Sequence, residues 1–265
     1  MATPPDLLAD LELMRGAVAD AAVVARRIYE QGFEAWRKDG HEPVTEVDMA
    51  VNAHLEGRLR PARPHYGWLS EETKDDRSRF ACRRVWVVDP IDGTRALMKG
   101  KPHFVISVAL LDDNAPILGI LHNPVTKEHY EAVTGSGATL NGQPIHVTDC
   151  QMLDSARLQM YADFMASKRW KVPFPRIETG MVNSIAYRLA LVAAGQYDGV
   201  LTIRQKNDWD LAAAALIVTE AGGRVTDRTG RPFAFNGPNA RHNGVVAGCP
   251  ALHTQIIDRL AKDFE

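Results

Sequence analysis

The segment Val85-Trp86-Val87-Val88-Asp89-Pro90-Ile91-Asp92-Gly93-Thr94 concentrates the chemistry of this chain. An apolar run with the look of a buried strand breaks abruptly into two carboxylates, a proline, a glycine and a hydroxyl. Left unpaired in a protein interior, such a cluster is costly. As a set of oxygen donors it suits hard cations with a phosphate nearby. Pro90 fixes one backbone dihedral and so holds Asp89 and Asp92 in a set relation. Three further acidic signals fall at the ends or starts of expected elements: Asp48 after Pro43-Val44-Thr45-Glu46, the pair Glu71-Glu72, and Asp210 in Trp209-Asp210-Leu211-Ala212-Ala213. Taken singly, Asp48 and Asp210 also suit the first turn of a helix, where the dipole favours an acid, and Glu71-Glu72 suits a solvated loop.

Those side chains need elements to carry them. Leu7, Leu11, Met14, Val18, Ala21, Val24 and Ile28 recur at three- and four-residue steps, which predicts a long amphipathic helix over 6–31. Arg37 to Pro43 reads as a turn or hairpin. Thr45 opens a second helix running to about Leu59, with Pro61 and Pro64 as its stop. Tyr66 to Ser70 reads as a short strand leading into Glu71, and Thr73 to Arg79 as a charged loop. Residues 104–111, 116–122 and 128–133 read as successive strands, and Asn141-Gly142 as a two-residue hairpin turn. Beyond about residue 150 the pattern alternates. Ser184 to Ala194 is helical and closes at Gly195, Asp198 to Ile203 is a strand, and Asp210 to Ala221 is a helix capped by Asn207 or Asp208 and stopped at Gly222-Gly223. Arg224 to Thr226 and Gly244 to Ala247 are strands, and a last helix starts near Pro250. With no repeat or flexible linker in view, the expectation is two abutting subdomains, 1–149 and 150–265, with a cleft between them.

Composition narrows the class of partner. Lysine and arginine number 31 against 33 aspartates and glutamates, a net charge of −2, so nothing favours a nucleic acid polymer or an anionic membrane. An anionic small molecule stays compatible, because bound cations supply a local positive field. No apolar run approaches the roughly 20 residues needed to span a bilayer. The start, Met1-Ala2-Thr3-Pro4-Pro5-Asp6, lacks the basic and apolar regions of a signal peptide. Cys82, Cys150 and Cys249 are odd in number and far apart, which suits a reducing compartment. The expectation is a soluble cytoplasmic protein.

Pro-Val-Thr-Glu-x-Asp, Ser-Glu-Glu, Asp-Pro-Ile-Asp-Gly-Thr and Trp-Asp-x-Ala-Ala, in that order between Lys38 and Gly223, resemble the inositol monophosphatase superfamily of lithium-sensitive, magnesium-dependent phosphatases. The resemblance implies a layered α/β/α/β sandwich, commonly assembled as a homodimer. It implies two or three Mg2+ per site, held by the carboxylates of Glu71, Asp89, Asp92 and Asp210 and the main-chain carbonyl of Ile91. Two such cations activate a water and stabilise the leaving oxygen of an in-line displacement. Thr94 and Asp48 are the candidates to orient and deprotonate that water, with Glu71 counted among the catalytic residues. Gly93 and Thr94 would present backbone N–H groups to the phosphate at the start of a short helix, with Asp92 and Asp210 also facing the substrate.

The leaving alcohol is less legible. Inositol enzymes carry an acidic residue a few positions before Trp-Asp; here the best-aligned position is Ile203. Lys206-Asn207-Asp208-Trp209-Asp210 and Lys38-Asp39-Gly40 look instead like bacterial 3′(2′),5′-bisphosphate nucleotidases, and Lys206 or Arg204 would pair with a second phosphate. Both also read as solvated surface charges. Asn183 and Ser184 read either as substrate contacts or as a helix cap. The resulting expectation is a small phosphorylated metabolite as partner, a nucleoside bisphosphate first and an inositol phosphate second. Histidinol phosphatase and fructose-1,6-bisphosphatase activities occur in the same superfamily, and a catalytically idle regulatory or scaffold protein of the same fold is the alternative of another class.

Overall fold

A computed structural model describes residues 5–38 and 42–264. Its centre is a seven-stranded sheet whose strands follow the chain in order: Gly67–Ser70, Arg84–Asp92, Val105–Asp112, Ala115–His122, His129–Val133, Ala138–Leu140 and Gln143–Pro144. Only the first pair is parallel. Along Arg84–Asp92 the side chains alternate as a strand demands. Trp86 and Val88 point to one core, while Val85 and Val87 point to another.

The first core is closed by the helices Pro5–Gln31 and Glu46–Ala62, through Leu11, Met14 and Val18 of one and Val51, Leu55 and Leu59 of the other. The second core is filled by the helices Ile185–Ala193 and Asp208–Glu220, so it is drawn from both halves of the chain. Both of these helices are apolar nearly all round, which is what burial between two sheets requires. Their far side meets a five-stranded mixed sheet in the order Glu178–Gly180, Arg157–Gln159, Gly199–Thr202, Val245–Gly248, Arg224–Thr226. The layers therefore run α/β/α/β as expected, and the last helix, Pro250–Asp263, covers the outer face of the second sheet through Leu252, Ile256 and Leu260.

One close approach seats the helix that carries Asp210. A Cβ on Gly119 would fall 2.9 Å from the carbonyl oxygen of Ala213. Only glycine lets the sheet and the helix Asp208–Glu220 come so near.

Two boundaries differ from expectation. The second helix runs through Pro61 to Ala62. In its last turn proline forfeits a single backbone hydrogen bond, and the chain stops at Arg63, where Pro64 disfavours the helical region. The strand before Asp89 continues to Asp92, because Asp89 opposes Ser107 and Asp92 opposes Val105 across a register shift. Pro90 and Ile91 thus form a bulge, a place where proline costs the ladder nothing. The hairpin at Arg37 to Pro43 pairs Ala35–Arg37 with Pro43–Thr45; Asp39, Gly40 and His41 lie outside the described residues. Asn141 and Gly142 take φ values of 50° and 78°, the left-handed pair that a two-residue turn with matching twist needs.

Candidate metal and phosphate site

The bulge delivers Asp89 and Asp92 to a cavity of about 340 Å³ between the two halves, lined also by Glu71, Ile91, Thr94 and Asp210. Carboxylate oxygens of Asp89, Asp92 and Asp210 lie within 4.8 Å of one another. Each is fixed by a backbone donor, local for Asp89 and Asp210 and distant for Asp92. The Ile91 N–H donates to Asp89 Oδ1 at 3.0 Å, closing the bulge on itself. The Asn207 N–H donates to Asp210 Oδ2 at 2.7 Å, where Asp210 reaches back over the first turn of its helix. Asp92 Oδ2 accepts from Ser184 Oγ at 2.6 Å and from the Ala186 N–H at 2.5 Å. A helix from the second half thereby grips a carboxylate from the first.

Of the two sequence readings of Ser184, the structure shows the helix cap. It is wholly buried, caps the helix Ile185–Ala193 through a bond from the Tyr187 N–H at 2.9 Å, and spends its own proton on Asp92. It positions a carboxylate and does not face the cavity. The acidic pair divides as well. Glu72 is closely ion-paired with Lys38, whereas the Glu71 carboxylate lies 3.9 Å from the Lys38 ammonium, which also donates to the Glu71 carbonyl at 3.5 Å, and Glu71 lines the cavity.

Thr94 Oγ1 lies 2.9 Å from Asp48 Oδ1 and 3.1 Å from the Ile91 carbonyl oxygen. Asp48 Oδ2 in turn accepts from the Thr45 N–H at 2.9 Å and from the Thr45 hydroxyl. The hydroxyl of Thr94 has one proton and two lone pairs, so with its proton given to Asp48 it can accept from a water in the cavity. Gly93 has φ 111°, and a Cβ there would meet the His103 carbonyl oxygen at 2.7 Å, so the turn that presents Thr94 admits no side chain.

The electrostatics are those of a cluster of like charges. Burial, then the charges of Glu71, Asp92 and Asp210, hold Asp89 far above the usual carboxylate range. Burial and Asp210 do the same to Glu71. Burial pushes Asp210 up to about 6, against the relief offered by Lys206. Asp92 is raised by burial, and Lys206 and its two hydrogen bonds oppose this. Asp48 is raised by burial alone, with Thr45 and Thr94 opposing. Asp89 Oδ2 is buried without any hydrogen-bond partner. Such an atom in a native fold calls for an explanation, and divalent cations with oxygen ligands supply one.

This sets a pH-dependent expectation. A carboxylate with a raised folded-state pKa keeps its proton on folding when the unfolded chain has lost it, so its contribution to stability falls as pH rises from about 4 through its folded pKa. Cations that bind the ionised cage reverse that loss. Magnesium at about 100 times its dissociation constant should add about 2.7 kcal/mol, which raises the melting temperature by several degrees. The gain over a chelator should be largest near pH 7.5 and shrink towards pH 5.5, as Asp210 takes up its proton. Equal melting with magnesium and with chelator at pH 7.5 would remove the cage from consideration.

Cationic side chains share the cavity with the cage. Lys206, Arg204 and Arg188 line the same cavity. Arg188 was missed from the sequence, although one signal was there: a lone arginine in the otherwise apolar run Ile185-Ala186-Tyr187-Arg188-Leu189-Ala190-Leu191.

An α/β/α/β sandwich with a carboxylate cage at the junction of its halves defines a class of metal-dependent phosphatase folds. Residues 9–264 match the family model described as "Inositol monophosphatase family", and the chain belongs to that family, whose members are phosphomonoester hydrolases using divalent metal ions. Among curated proteins it is 30% identical to the chloroplastic bifunctional phosphatase IMPL2 of Arabidopsis thaliana, over 97% of this chain and 78% of that protein. It is 33% identical to the Nus factor SuhB of Escherichia coli, over 87% of each. Among solved structures an IMPase of Thermotoga maritima superposes with a TM-score of 0.81 at 28% identity, over 95% of this chain and 96% of that one. Among the described residues no helix is long and apolar enough to cross a membrane.

Proposed function

We propose that this chain is a magnesium-dependent phosphatase of the bisphosphate nucleotidase kind, acting on a nucleoside 3′,5′-bisphosphate. The observation that carries the reading is the mixed charge of one cavity: the carboxylates of Glu71, Asp89, Asp92 and Asp210 line it together with Lys206 and Arg204. A phosphate drawn to cations held by the carboxylates leaves the lysine and arginine for another anion on the same molecule. Ile203 stands where an inositol enzyme is expected to place a carboxylate for sugar hydroxyls, so that contact is missing here.

Magnesium held by Glu71, Asp89, Asp92, Asp210 and the Ile91 carbonyl would supply Lewis-acid charge at the phosphate and at the leaving oxygen. The chain's own residues do the rest. Thr94 accepts from the attacking water and fixes it in line with the scissile bond, and Asp48, bonded to Thr94, draws the proton. Gly93 and Thr94 hold the phosphate close to the backbone. Lys206 offsets negative charge beside Asp92 and Asp210, so the cage is not a single uncompensated block.

The names of several relatives favour inositol 1-phosphate as the second reading; one is the inositol-1-monophosphatase of Bacillus subtilis, 28% identical over 89% of this chain. Adenosine 3′,5′-bisphosphate, inositol 1-phosphate and histidinol phosphate assayed side by side with magnesium decide between them. The expected order has the bisphosphate first by kcat/KM. A clear preference for inositol 1-phosphate overturns the nucleotidase reading and leaves the family unchanged.

A further inference from the structure

Arg188 is 3% exposed in the middle of an apolar helix. Its Nε donates to the Val182 carbonyl at 2.6 Å and a terminal nitrogen to the Asn183 carbonyl at 3.3 Å. Of its five N–H donors, these bonds use two, and both acceptors are neutral. The charge of Asp92 and the hydroxyl of Tyr161 act on it, and among the described residues no carboxylate is ion-paired with it. Asp92 Oδ2 is already taken by Ser184 and Ala186. A buried guanidinium without a carboxylate partner is costly to maintain, and burial accordingly pushes its pKa down.

The surroundings sharpen the point. The Arg188 guanidinium lies 5.6 Å from the centroid of the Tyr161 ring, and the Arg204 guanidinium lies 4.5 Å from the same centroid. Two cations thus flank one tyrosine at the edge of the cavity, repelling each other, with no carboxylate among the described residues ion-paired to either. Asn183 and Tyr161 line the cavity beside them. An anion placed there relieves the repulsion, uses the spare donors of a planar fork, and shares one cavity with the cage that takes the reacting phosphate.

We infer that Arg188, with Arg204 across Tyr161, is the receptor for a second phosphate carried by the alcohol that the reaction releases. The inference rests on the phosphatase reading above and names the residue that makes the site select a bisphosphate. Because Arg188 is held by carbonyls of Val182 and Asn183, immediately before Ser184, the same short stretch positions both Asp92 and the second-phosphate receptor.

The test compares adenosine 3′,5′-bisphosphate with adenosine 3′-monophosphate, which lacks only the second phosphate, in wild type, Arg188→Gln and Arg188→Lys. Wild type should prefer the bisphosphate by about 10- to 100-fold in kcat/KM, the worth of a charged hydrogen-bonded contact, chiefly through KM. In Arg188→Gln that ratio should collapse to about unity, and Arg188→Lys, which keeps the charge without the fork, should retain part of it. A merely structural role lowers both activities together and keeps the ratio. A wild-type ratio preserved in Arg188→Gln, or in Arg188→Lys should the first variant not fold, overturns the receptor and leaves the nucleotidase reading standing. A wild type that shows no preference for the bisphosphate overturns both.

Discussion

Asp89→Asn is expected to do two opposite things: abolish turnover and stabilise the metal-free protein. Asp89 is 1% exposed, its Oδ2 has no hydrogen-bond partner, and Glu71, Asp92 and Asp210 crowd it. Asparagine keeps the acceptor that the Ile91 N–H uses and removes the charge. Without cations, removing one charge from a buried like-charged cluster is a relief, so in chelator the variant should melt a few degrees above wild type at pH 8. Near pH 6 the gain should be smaller, because the wild-type cluster already holds protons there. With magnesium the order reverses, since the wild type gains binding energy that the variant lacks. Loss of a cage carboxylate weakens the metal and the charge it places on the transition state together, and kcat/KM should fall by about 10³-fold or more. Calorimetry and initial rates on one preparation read both effects. A variant that is less stable than wild type in chelator would show that the carboxylate serves the fold and not a cation.

The same variant separates an enzyme from an idle scaffold of this fold. A relative whose name is that of a Nus factor makes the distinction worth drawing. In a scaffold the cage has no duty that selects for four mutually repelling acids, and Asp89→Asn should then be a plain gain. An enzyme holds them in place with dedicated devices: a bulge at Pro90 and Ile91, a capping carboxylate at Asp210, and a helix start at Ser184 and Ala186 aimed at Asp92. Those devices cost stability unless cations arrive, which is the signature of a functional site in an otherwise consistent fold.

How far the sequence discloses this arrangement depends on the kind of signal. Helix and strand periodicity is local, so the helices at Pro5–Gln31 and Asp208–Glu220 and the strands around Asp89 can be read directly. The caps are local too, and Thr45 and Ser184 announce helix starts. What is not local is not legible. Nothing near Ser184 in sequence says that its hydroxyl reaches Asp92, 92 positions away. Glu71 and Glu72 differ in role only because Lys38, from the opening hairpin, lands on the second. Gly119 looks like a weak point in a strand until a helix 94 positions later packs on it. The proposed second-phosphate receptor is of this non-local kind, because Tyr161, Arg188 and Arg204 come from three separate segments and meet only in the folded cavity.

Thr94→Val carries the second large effect, and it isolates water activation from metal binding. Valine matches threonine in shape and removes only the hydroxyl that joins Asp48 Oδ1 at 2.9 Å and the Ile91 carbonyl at 3.1 Å. The carboxylates of the cage stay, so magnesium should still raise the melting temperature and KM should move little. What goes is the acceptor that fixes the attacking water and the path from it to Asp48, a contribution of about 10² to 10⁴ in kcat. Thr94→Ser restores the hydroxyl and should recover most of that rate. Asp48→Asn removes the other end of the same relay while leaving the Thr45 N–H an acceptor to bond, and should cost a similar factor. Because the two residues act as one unit, the double variant should be about as slow as the slower single one and not the product of both. Strictly multiplicative losses in Thr94→Val/Asp48→Asn would mean that the hydroxyl and the carboxylate act on different steps, with Thr94 positioning the phosphate and Asp48 serving only to cap its helix.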